Sequence, residues 1–217
     1  MDGLRQLLRG IEVFDGELPS FDPKDAPDSP VDLFTQWLLH ALRSGVREPH
    51  AMTLSTAGAD GDPTARTLIL KDVSAEGWAF ASDAGGVKGR DLAQRPFAAL
   101  TFYWSPLARQ VRVRGPVAAA RPEESAADFL ARGPRARAES LLGRQSTPLE
   151  DPVERERAVR EAAGLVERDP GLVPPGWRLQ RVRPTSVEFW QGDRNRDHTR
   201  LSYHATRDGW ERRLLWP

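Results

Sequence analysis

Two blocks of short β-strand patterns, separated by a helical block, constrain the fold of this chain more than any other feature of its sequence. In the first block, residues 52–56 alternate polar and apolar side chains, and residues 64–71 form a second strand after the turn AGADGDP. Short strands joined by Gly- and Asp-rich turns are typical of an antiparallel meander that closes into a barrel. The second block begins after Pro174-Pro175, and we expect its strands to complete the sheet of the first. The order of strands, helices and strands predicts a single α+β domain.

The other elements follow from similar local patterns. Ser29 can cap a helix that begins at Pro30, and Asp32 suits the positive end of its dipole. Apolar residues at helical spacing give this helix one core-facing side up to Ser44-Gly45, where it ends. Further strands are predicted at residues 78–82, 97–104, 109–119, 177–182, 186–190, 201–205 and 210–215. Further helices are predicted at residues 87–94 and within 122–169, with breaks near 133–134 and 147–148.

The N-terminal 30 residues differ in composition from the rest of the chain. Residues 15–30 are rich in proline and aspartate and predict an extended arm without a core of its own. Such an arm can wrap a partner subunit, cover a site, or be a mobile tail. We therefore divide the chain into an arm, residues 1–30, and a single domain, residues 31–217.

Several classes of function are excluded by composition and by missing motifs. The chain has no cysteine and only four histidines, so thiolate chemistry and metal sites are not expected. Its formal net charge of zero argues against a general nucleic-acid binder. No phosphate-binding loop, dinucleotide fingerprint or hydrolase motif is present. The chain has neither a signal-peptide pattern nor a long apolar run, so we expect a cytoplasmic protein without a membrane span.

Basic side chains on strands and in one loop are the remaining candidates for function. Arg66 and Lys71 share a strand but lie five residues apart, so they would face opposite sides unless the strand bends. Lys88 stands at the start of a short helix, where backbone N–H groups favour an anion. Residues 189–200 concentrate a Trp, a His and several arginines between two strands. For each residue alone, a solvated surface charge is the simpler interpretation.

Four runs in a fixed order connect these residues to a known family. They are ARTLILKD at 65–72, FYWSPLARQVRVRG at 102–115, GRQS at 143–146, and EFWQG with RDHTRLSY within 188–203. With this order and spacing, the chain from about residue 34 to its end resembles the pyridoxine/pyridoxamine 5′-phosphate oxidase family. The resemblance implies an FMN-binding, antiparallel split β-barrel with peripheral helices. It also implies a homodimer with two flavin sites at the subunit interface.

The resemblance also implies roles for individual residues. Arg196 and His198 would be catalytic and would cover the substrate ring next to the flavin. With Lys71 and Arg132, which would reach the substrate phosphate, they would form the substrate site. The FMN site would comprise Arg66, Thr67, Leu68, Lys71, Ala81, Ser82, Lys88, Gln110, Gln145, Ser146, Trp190 and Arg200. The implied reaction converts pyridoxine or pyridoxamine 5′-phosphate to pyridoxal 5′-phosphate, with O2 consumed and H2O2 released.

The chain departs from the family pattern at three positions. Val87 replaces an arginine before Lys88, and Arg90 is a candidate substitute. Asp128 and Ala136 stand where a tyrosine and a serine would hold the substrate phosphate. Three alternatives therefore stay open. The chain could be a related flavin oxidase for another reduced compound, as in phenazine biosynthesis, a non-catalytic flavin-binding protein, or a domain without flavin.

Overall fold

The computed structural model describes residues 2–14 and 16–217. In this part of the chain the helices are α1 Asp2–Arg9, α2 Pro30–Arg43, α3 Val87–Gln94, α4 Pro122–Leu130, α5 Pro134–Leu141 and α6 Pro152–Arg168. The strands are β1 Ala51–Ala57, β2 Pro63–Ser74, β3 Gly77–Asp83, β4 Phe97–Trp104, β5 Arg109–Ala119, β6 Trp177–Val182, β7 Ser186–Gln191, β8 Thr199–Ala205 and β9 Trp210–Leu214. No helix in these residues is both long and apolar enough to cross a membrane.

Contacts divide the described chain into two compact units. The first unit comprises the chain up to Met52 together with Thr101–Val113 and Thr185–Pro217. The second unit comprises Thr53–Leu100 and Arg114–Pro184. Each unit combines antiparallel strands with helices, so the α+β class predicted from the sequence is confirmed. The predicted split between an arm and one domain stays a prediction.

In the second unit, β3 is the central strand of an antiparallel ladder. It pairs with β2 on one side and with β6 on the other, with Trp78 opposite Val182. The end of β5 pairs with β6 in turn. Trp78 and Phe80 are fully buried in this ladder, which gives the unit a large apolar core. A strand from the late sequence block thus completes the sheet of the early block, as predicted.

A β-bulge interrupts the ladder between β2 and β3. Leu70 pairs with Phe80 and Asp72 with Ala79, so two steps along β2 correspond to one step along β3. Lys71 is the extra residue. A bulge bends its strand and re-aims the side chain that it carries. Arg66 and Lys71 would face opposite sides of a regular strand, so only a bend of this kind would let both serve the same side of β2.

In the first unit, the aromatic residues of α2 hold the helix against strands. The ring centroids of Phe34 and Phe102 lie 4.8 Å apart, and those of Trp37 and Phe189 lie 5.3 Å apart. Phe189 lies on β7, which pairs with β8, and β8 pairs with β9. The observed span of α2 confirms the helix that the caps and the apolar spacing predicted.

The N-terminal segment is more structured than the sequence predicted. It begins with helix α1, whose Leu4, Leu7 and Leu8 are exposed. Toward its end, the ring of Phe21 lies 5.0 Å from that of Trp37. Tyr203 donates its hydroxyl hydrogen to the carbonyl of Pro27 at 2.7 Å. The segment is therefore anchored to the first unit near α2, although its proline-rich sequence gives it no core of its own.

The helices α4, α5 and α6 lie in the second unit. The breaks between them fall where the sequence predicted: Pro134 is the first residue of α5, and Pro148 lies in the connection to α6. Ala138 of α5 packs on Ala162 and Val166 of α6. This small apolar cluster holds the two helices together.

We expect Ser29→Ala to lower the free energy of unfolding by about 1 kcal/mol, the usual cost of losing a helix cap. The Ser29 hydroxyl accepts a hydrogen bond from the backbone N–H of Asp32 at 3.4 Å. Denaturant unfolding followed by circular dichroism would measure the loss. Ser29→Asp, which retains a capping oxygen, should remain near the wild type, whereas an equal loss in both variants would contradict a capping role.

Candidate functional site

Lys88 is a buried cation at the first turn of α3. Lys88 is only 7% exposed, and its ammonium donates a hydrogen bond to the Gln145 side-chain oxygen at 2.5 Å. Gly86 occupies the N-cap position of α3 and provides no side-chain cap. The first backbone N–H groups of the helix therefore lie beside a buried ammonium, a combination suited to an anion.

Arg66 lies on β2 and is held by hydroxyl groups. Its guanidinium donates to Thr56 and to Thr64, each at 2.7 Å. Both threonine side chains also contact the carboxylate of Asp91, which lies 3.8 Å from the Arg66 guanidinium. Asp91 therefore fixes the orientation of Arg66, partly through the two threonines.

Electrostatics show that Arg66 and Lys88 act on each other. Burial lowers the pKa of Lys88, and the positive charge of Arg66 lowers it further. Burial also lowers the pKa of Arg66, although Asp91 opposes the change. An anion bound near both cations would offset the effect of Arg66 on Lys88 and would stabilise the charged form of each.

The surroundings of these cations fit a phosphate group. In the part of the chain that the structure describes, the Ser82 hydroxyl is buried without a hydrogen-bond partner. A Cβ on Gly89 would lie 2.3 Å from the Asp83 carbonyl oxygen, so the chain requires glycine there. Ammonium, guanidinium and hydroxyl groups are the donors that a phosphate ester accepts. We call Arg66, Ser82, Lys88 and Gln145 the anion cluster; its donors fit the phosphate end of FMN.

Other residues predicted for the flavin site flank the anion cluster in sequence. Ala81 precedes Ser82 on β3, and Thr67 and Leu68 follow Arg66 on β2. Ser146 follows Gln145 in an exposed loop and has a φ of +66°. Their roles toward the flavin stay predictions.

A cavity of about 530 Å³ opens beside these residues in the second unit. Arg132, Ser140, Gln145 and Trp177 contribute to its wall, together with residues of α6. The cavity thus brings Gln145 of the anion cluster and Arg132, predicted for the substrate site, to one concave surface.

Lys71 and Arg132 are both associated with Asp128. The Lys71 ammonium lies 3.3 Å from the Asp128 carboxylate. Trp177 donates its indole N–H to the same carboxylate at 3.0 Å, and the Arg132 guanidinium lies 4.4 Å from the Trp177 ring centre. The structure therefore places the two cations predicted for the substrate phosphate around one carboxylate.

In the first unit, His198 forms a three-ring cluster with two aromatic side chains. Its ring centre is 5.0 Å from that of Trp190 and 5.6 Å from that of Phe14. The His198 Nδ1 accepts the backbone N–H of Asp193 at 3.0 Å. The neutral imidazole must then carry its hydrogen on Nε2, so the ring can offer a donor to a substrate.

The arginines near His198 differ in their exposure to solvent and in their partners. Arg196 is exposed, and it adopts a φ of +66° in a turn where its N–H donates to the Asp193 carbonyl. Arg200 of β8 is fixed by Glu188 of β7, with 3.0 Å between their charged groups. Gln110 lies half-buried on β5. Arg196 is thus exposed to solvent, as Arg194 of the same loop is, whereas Arg200 is held in a salt bridge.

Sequence reasoning missed the carboxylates that orient these cations. Asp91 and Glu188 were not singled out, although Glu188 stands in the EFWQG run and Asp91 follows Arg90 in α3. The suggested substitution of Arg90 for the arginine missing at Val87 finds no support, because Arg90 is exposed and donates to the Gly85 carbonyl. Asp91 lies outside the family runs and 25 positions from Arg66, so no local pattern links the two, whereas Glu188 could have been found inside its run.

The chain is similar to proteins of one family over most of its length. Residues 38–164 match the family model of pyridoxamine 5′-phosphate oxidase, and residues 177–217 match that of the pyridoxine 5′-phosphate oxidase C-terminal dimerisation region. The pyridoxine/pyridoxamine 5′-phosphate oxidase of Rubrobacter xylanophilus is 43% identical over 192 residues, covering 88% of each chain. The enzyme of the same name from Bordetella petrii is 44% identical over 188 residues, covering 85% of this chain and 88% of its own.

A solved structure shows the same fold. The PhzG protein of Burkholderia lata, in complex with tetrahydrophenazine-1-carboxylic acid, has a TM-score of 0.85 and 28% identity, covering 93% of this chain and all of its own. The antiparallel split β-barrel predicted from the sequence is therefore confirmed. Because a family model matches more than half of the chain and the relatives are over 40% identical, the chain belongs to the pyridoxamine 5′-phosphate oxidase family.

Proposed function

We propose that this protein is an FMN-dependent oxidase that converts pyridoxine 5′-phosphate or pyridoxamine 5′-phosphate to pyridoxal 5′-phosphate. Its membership of the family supports the reaction class, since relatives over 40% identical carry the name of that enzyme. The single structural observation that carries the proposal is a pair of interacting cations, the buried Lys88 and the partly buried Arg66, on the unit that also holds the buried Ser82 hydroxyl, which has no hydrogen-bond partner among the described residues. That donor set suits the phosphate that distinguishes FMN from riboflavin.

When bound, FMN would supply the redox chemistry, a two-electron oxidation of the substrate at C4′ coupled to reduction of O2 to H2O2; with the amine substrate, water would replace the amino group, which leaves as ammonia. The residues of the chain bind and orient. Lys88 and Arg66 hold the FMN phosphate, with Gln145 fixing the Lys88 ammonium. Gln110, Trp190 and Arg200 complete the flavin site. In a homodimer, we propose, each site takes residues from both subunits, which agrees with the match to the dimerisation region.

The substrate is held at its two ends. Lys71 and Arg132 neutralise its phosphate, and Arg196 and His198 cover its ring. His198 offers an Nε2–H donor because its Nδ1 is engaged by the backbone of Asp193. Holding C4′ against the flavin in this way supplies much of the rate enhancement that a cofactor enzyme requires from its protein.

The test is anaerobic mixing of the FMN-loaded protein with pyridoxine 5′-phosphate or with pyridoxamine 5′-phosphate, monitored by flavin absorbance. We expect the absorbance of oxidised flavin to disappear and to return when air is admitted, with pyridoxal 5′-phosphate formed. Riboflavin-loaded protein serves as the control for the cofactor phosphate. A flavin that stays oxidised with both substrates would refute the proposed reaction.

A second candidate function is the oxidation of another reduced ring compound. The likeness to PhzG, whose structure contains tetrahydrophenazine-1-carboxylic acid, and the carboxylate of Asp128 beside Lys71 favour it. It predicts that the flavin is reduced by a carboxylated reduced ring and not by either B6 vitamer. The same anaerobic assay separates the two candidates.

A further inference from the structure

A carboxylate lies inside the group of residues predicted to bind the substrate phosphate. We call this group the Asp128 cluster; it comprises Lys71, Asp128, Arg132 and Trp177. Each Asp128 oxygen has a partner: one lies 3.3 Å from the Lys71 ammonium, and the other accepts the Trp177 indole N–H at 3.0 Å. The Asp128 side chain is only 13% exposed. The carboxylate is therefore fixed on the protein and largely withdrawn from water.

Arg132 completes the cluster over the ring of Trp177. Its guanidinium lies 4.4 Å from the Trp177 ring centre and donates to Ser140. Ser140 in turn donates to the Ala136 carbonyl at 3.0 Å. Burial lowers the pKa of Arg132, while the charge of Asp128 opposes that change, so the carboxylate and the guanidinium interact. Asp128 thus acts on both cations.

The charge balance of the cluster limits what it can bind. Two cations and one carboxylate leave one net positive charge. A doubly charged phosphate brought to Lys71 and Arg132 would exceed that charge and would lie close to a carboxylate that cannot move into water. Like charges at short range in a partly buried site repel strongly. The phosphate must therefore compete with Asp128 for Lys71.

We propose that Asp128 is a specificity-determining residue, an internal counter-ion that competes with the substrate phosphate for Lys71 and so reduces the preference of the site for phosphorylated substrates. The inference rests on the proposed function in one respect, the placement of Lys71 and Arg132 at the substrate. It goes beyond that function because it assigns to the chain a weakened selection for phosphate and names the residue responsible.

The first test compares kcat/KM for pyridoxine 5′-phosphate and for pyridoxine in the FMN-loaded wild type and in Asp128→Asn. We expect the ratio of the two values to rise about ten-fold in the variant, through a lower KM for the phosphorylated substrate. The KM for pyridoxine should change less than two-fold. Asp128→Glu, which retains the charge, should keep the wild-type ratio.

Asp72→Asn is the matched control. Asp72 follows Lys71 on β2, is half exposed and pairs with Arg181 at 3.4 Å. It loses the same charge outside the Asp128 cluster, and we expect the wild-type ratio. A ratio unchanged in Asp128→Asn, or raised equally in Asp72→Asn, would overturn the proposal. Asp128→Ser provides a second neutral variant should the asparagine variant fold poorly.

A second measurement does not require turnover. Each of the seven tryptophans gives one indole N–H signal in a ¹⁵N spectrum, and Trp177→Phe identifies the signal of Trp177. Titration of the FMN-loaded protein with inorganic phosphate should shift that signal, with an affinity about ten-fold higher in Asp128→Asn than in the wild type. Equal affinities in the two proteins would refute the role of Asp128.

The two measurements separate failure of this inference from failure of the proposed function. If neither vitamer reduces the flavin, the proposed reaction fails, and the phosphate titration alone decides the role of Asp128. If the vitamers are oxidised but neither the ratio nor the phosphate affinity responds to Asp128→Asn, the proposed reaction stands and this inference fails.

Discussion

Lys88→Met is expected to weaken the binding of FMN about 100-fold, which corresponds to about 2.7 kcal/mol. The Lys88 ammonium is buried and held by Gln145, so it is already in place before the phosphate arrives. A charge-assisted hydrogen bond from a preorganised, desolvated donor contributes more than an exposed one. Titration of FMN into the flavin-free protein, followed by flavin fluorescence, would measure the dissociation constant.

Riboflavin, which lacks the phosphate, provides the internal control for Lys88→Met. We expect its affinity to be nearly the same in the variant and in the wild type. Lys24→Met is the matched control in the protein, because Lys24 is an exposed lysine and its loss removes the same charge. Equal weakening of riboflavin and FMN would mean that Lys88 supports the structure of the pocket and does not bind the phosphate.

His198→Ala is expected to slow flavin reduction by the substrate about 100-fold, within the range for loss of a group that hydrogen-bonds or exchanges a proton with a reacting molecule. The Nδ1 of His198 is engaged by the backbone N–H of Asp193, which directs the Nε2–H donor elsewhere. The affinity for FMN should change little, since the anion cluster remains. Stopped-flow absorbance under anaerobic conditions would give the rate of reduction.

His198→Gln tests whether the donor is what matters. A glutamine amide can supply an N–H, so this variant should recover part of the rate lost in the alanine variant. His50→Ala removes an exposed histidine and should leave the rate unchanged. If the alanine variant reduces its flavin as fast as the wild type, or loses FMN and rate in parallel, His198 has no direct role in the reaction.

The elements that carry these residues could be predicted where local sequence decides the structure. Helix α2 has its cap at Ser29, a proline at its first position and an apolar face, and each signal acts within a few residues. The strands β4 and β5 have the bounds that the sequence predicted. The family runs contain Arg66, Lys71, Arg196 and Arg200, which can be read along one strand or loop, whereas Lys88 was marked by its place at the start of a short helix.

The rest depends on contacts between residues far apart in sequence. Asp91 meets Thr56 across 35 positions, and Trp177 meets Asp128 across 49. No local pattern encodes such a partner, so the orientation of Arg66 and the neutralisation of Lys71 became visible only in the structure. Helix α1 was also missed, although Leu4, Leu7 and Leu8 stand at helical spacing; in the structure these three residues are exposed.

The bulge at Lys71 has a consequence for inheritance. Leu70 and Asp72 pair with the consecutive residues Phe80 and Ala79, so the ladder would keep every partner if codon 71 were deleted. An in-frame deletion would remove the cation and leave the pairing of β2 with β3 intact, and the reverse insertion would restore both residue and bulge. A change of one residue in chain length at this position would therefore remove or restore the charge without changing the partners of β2 and β3.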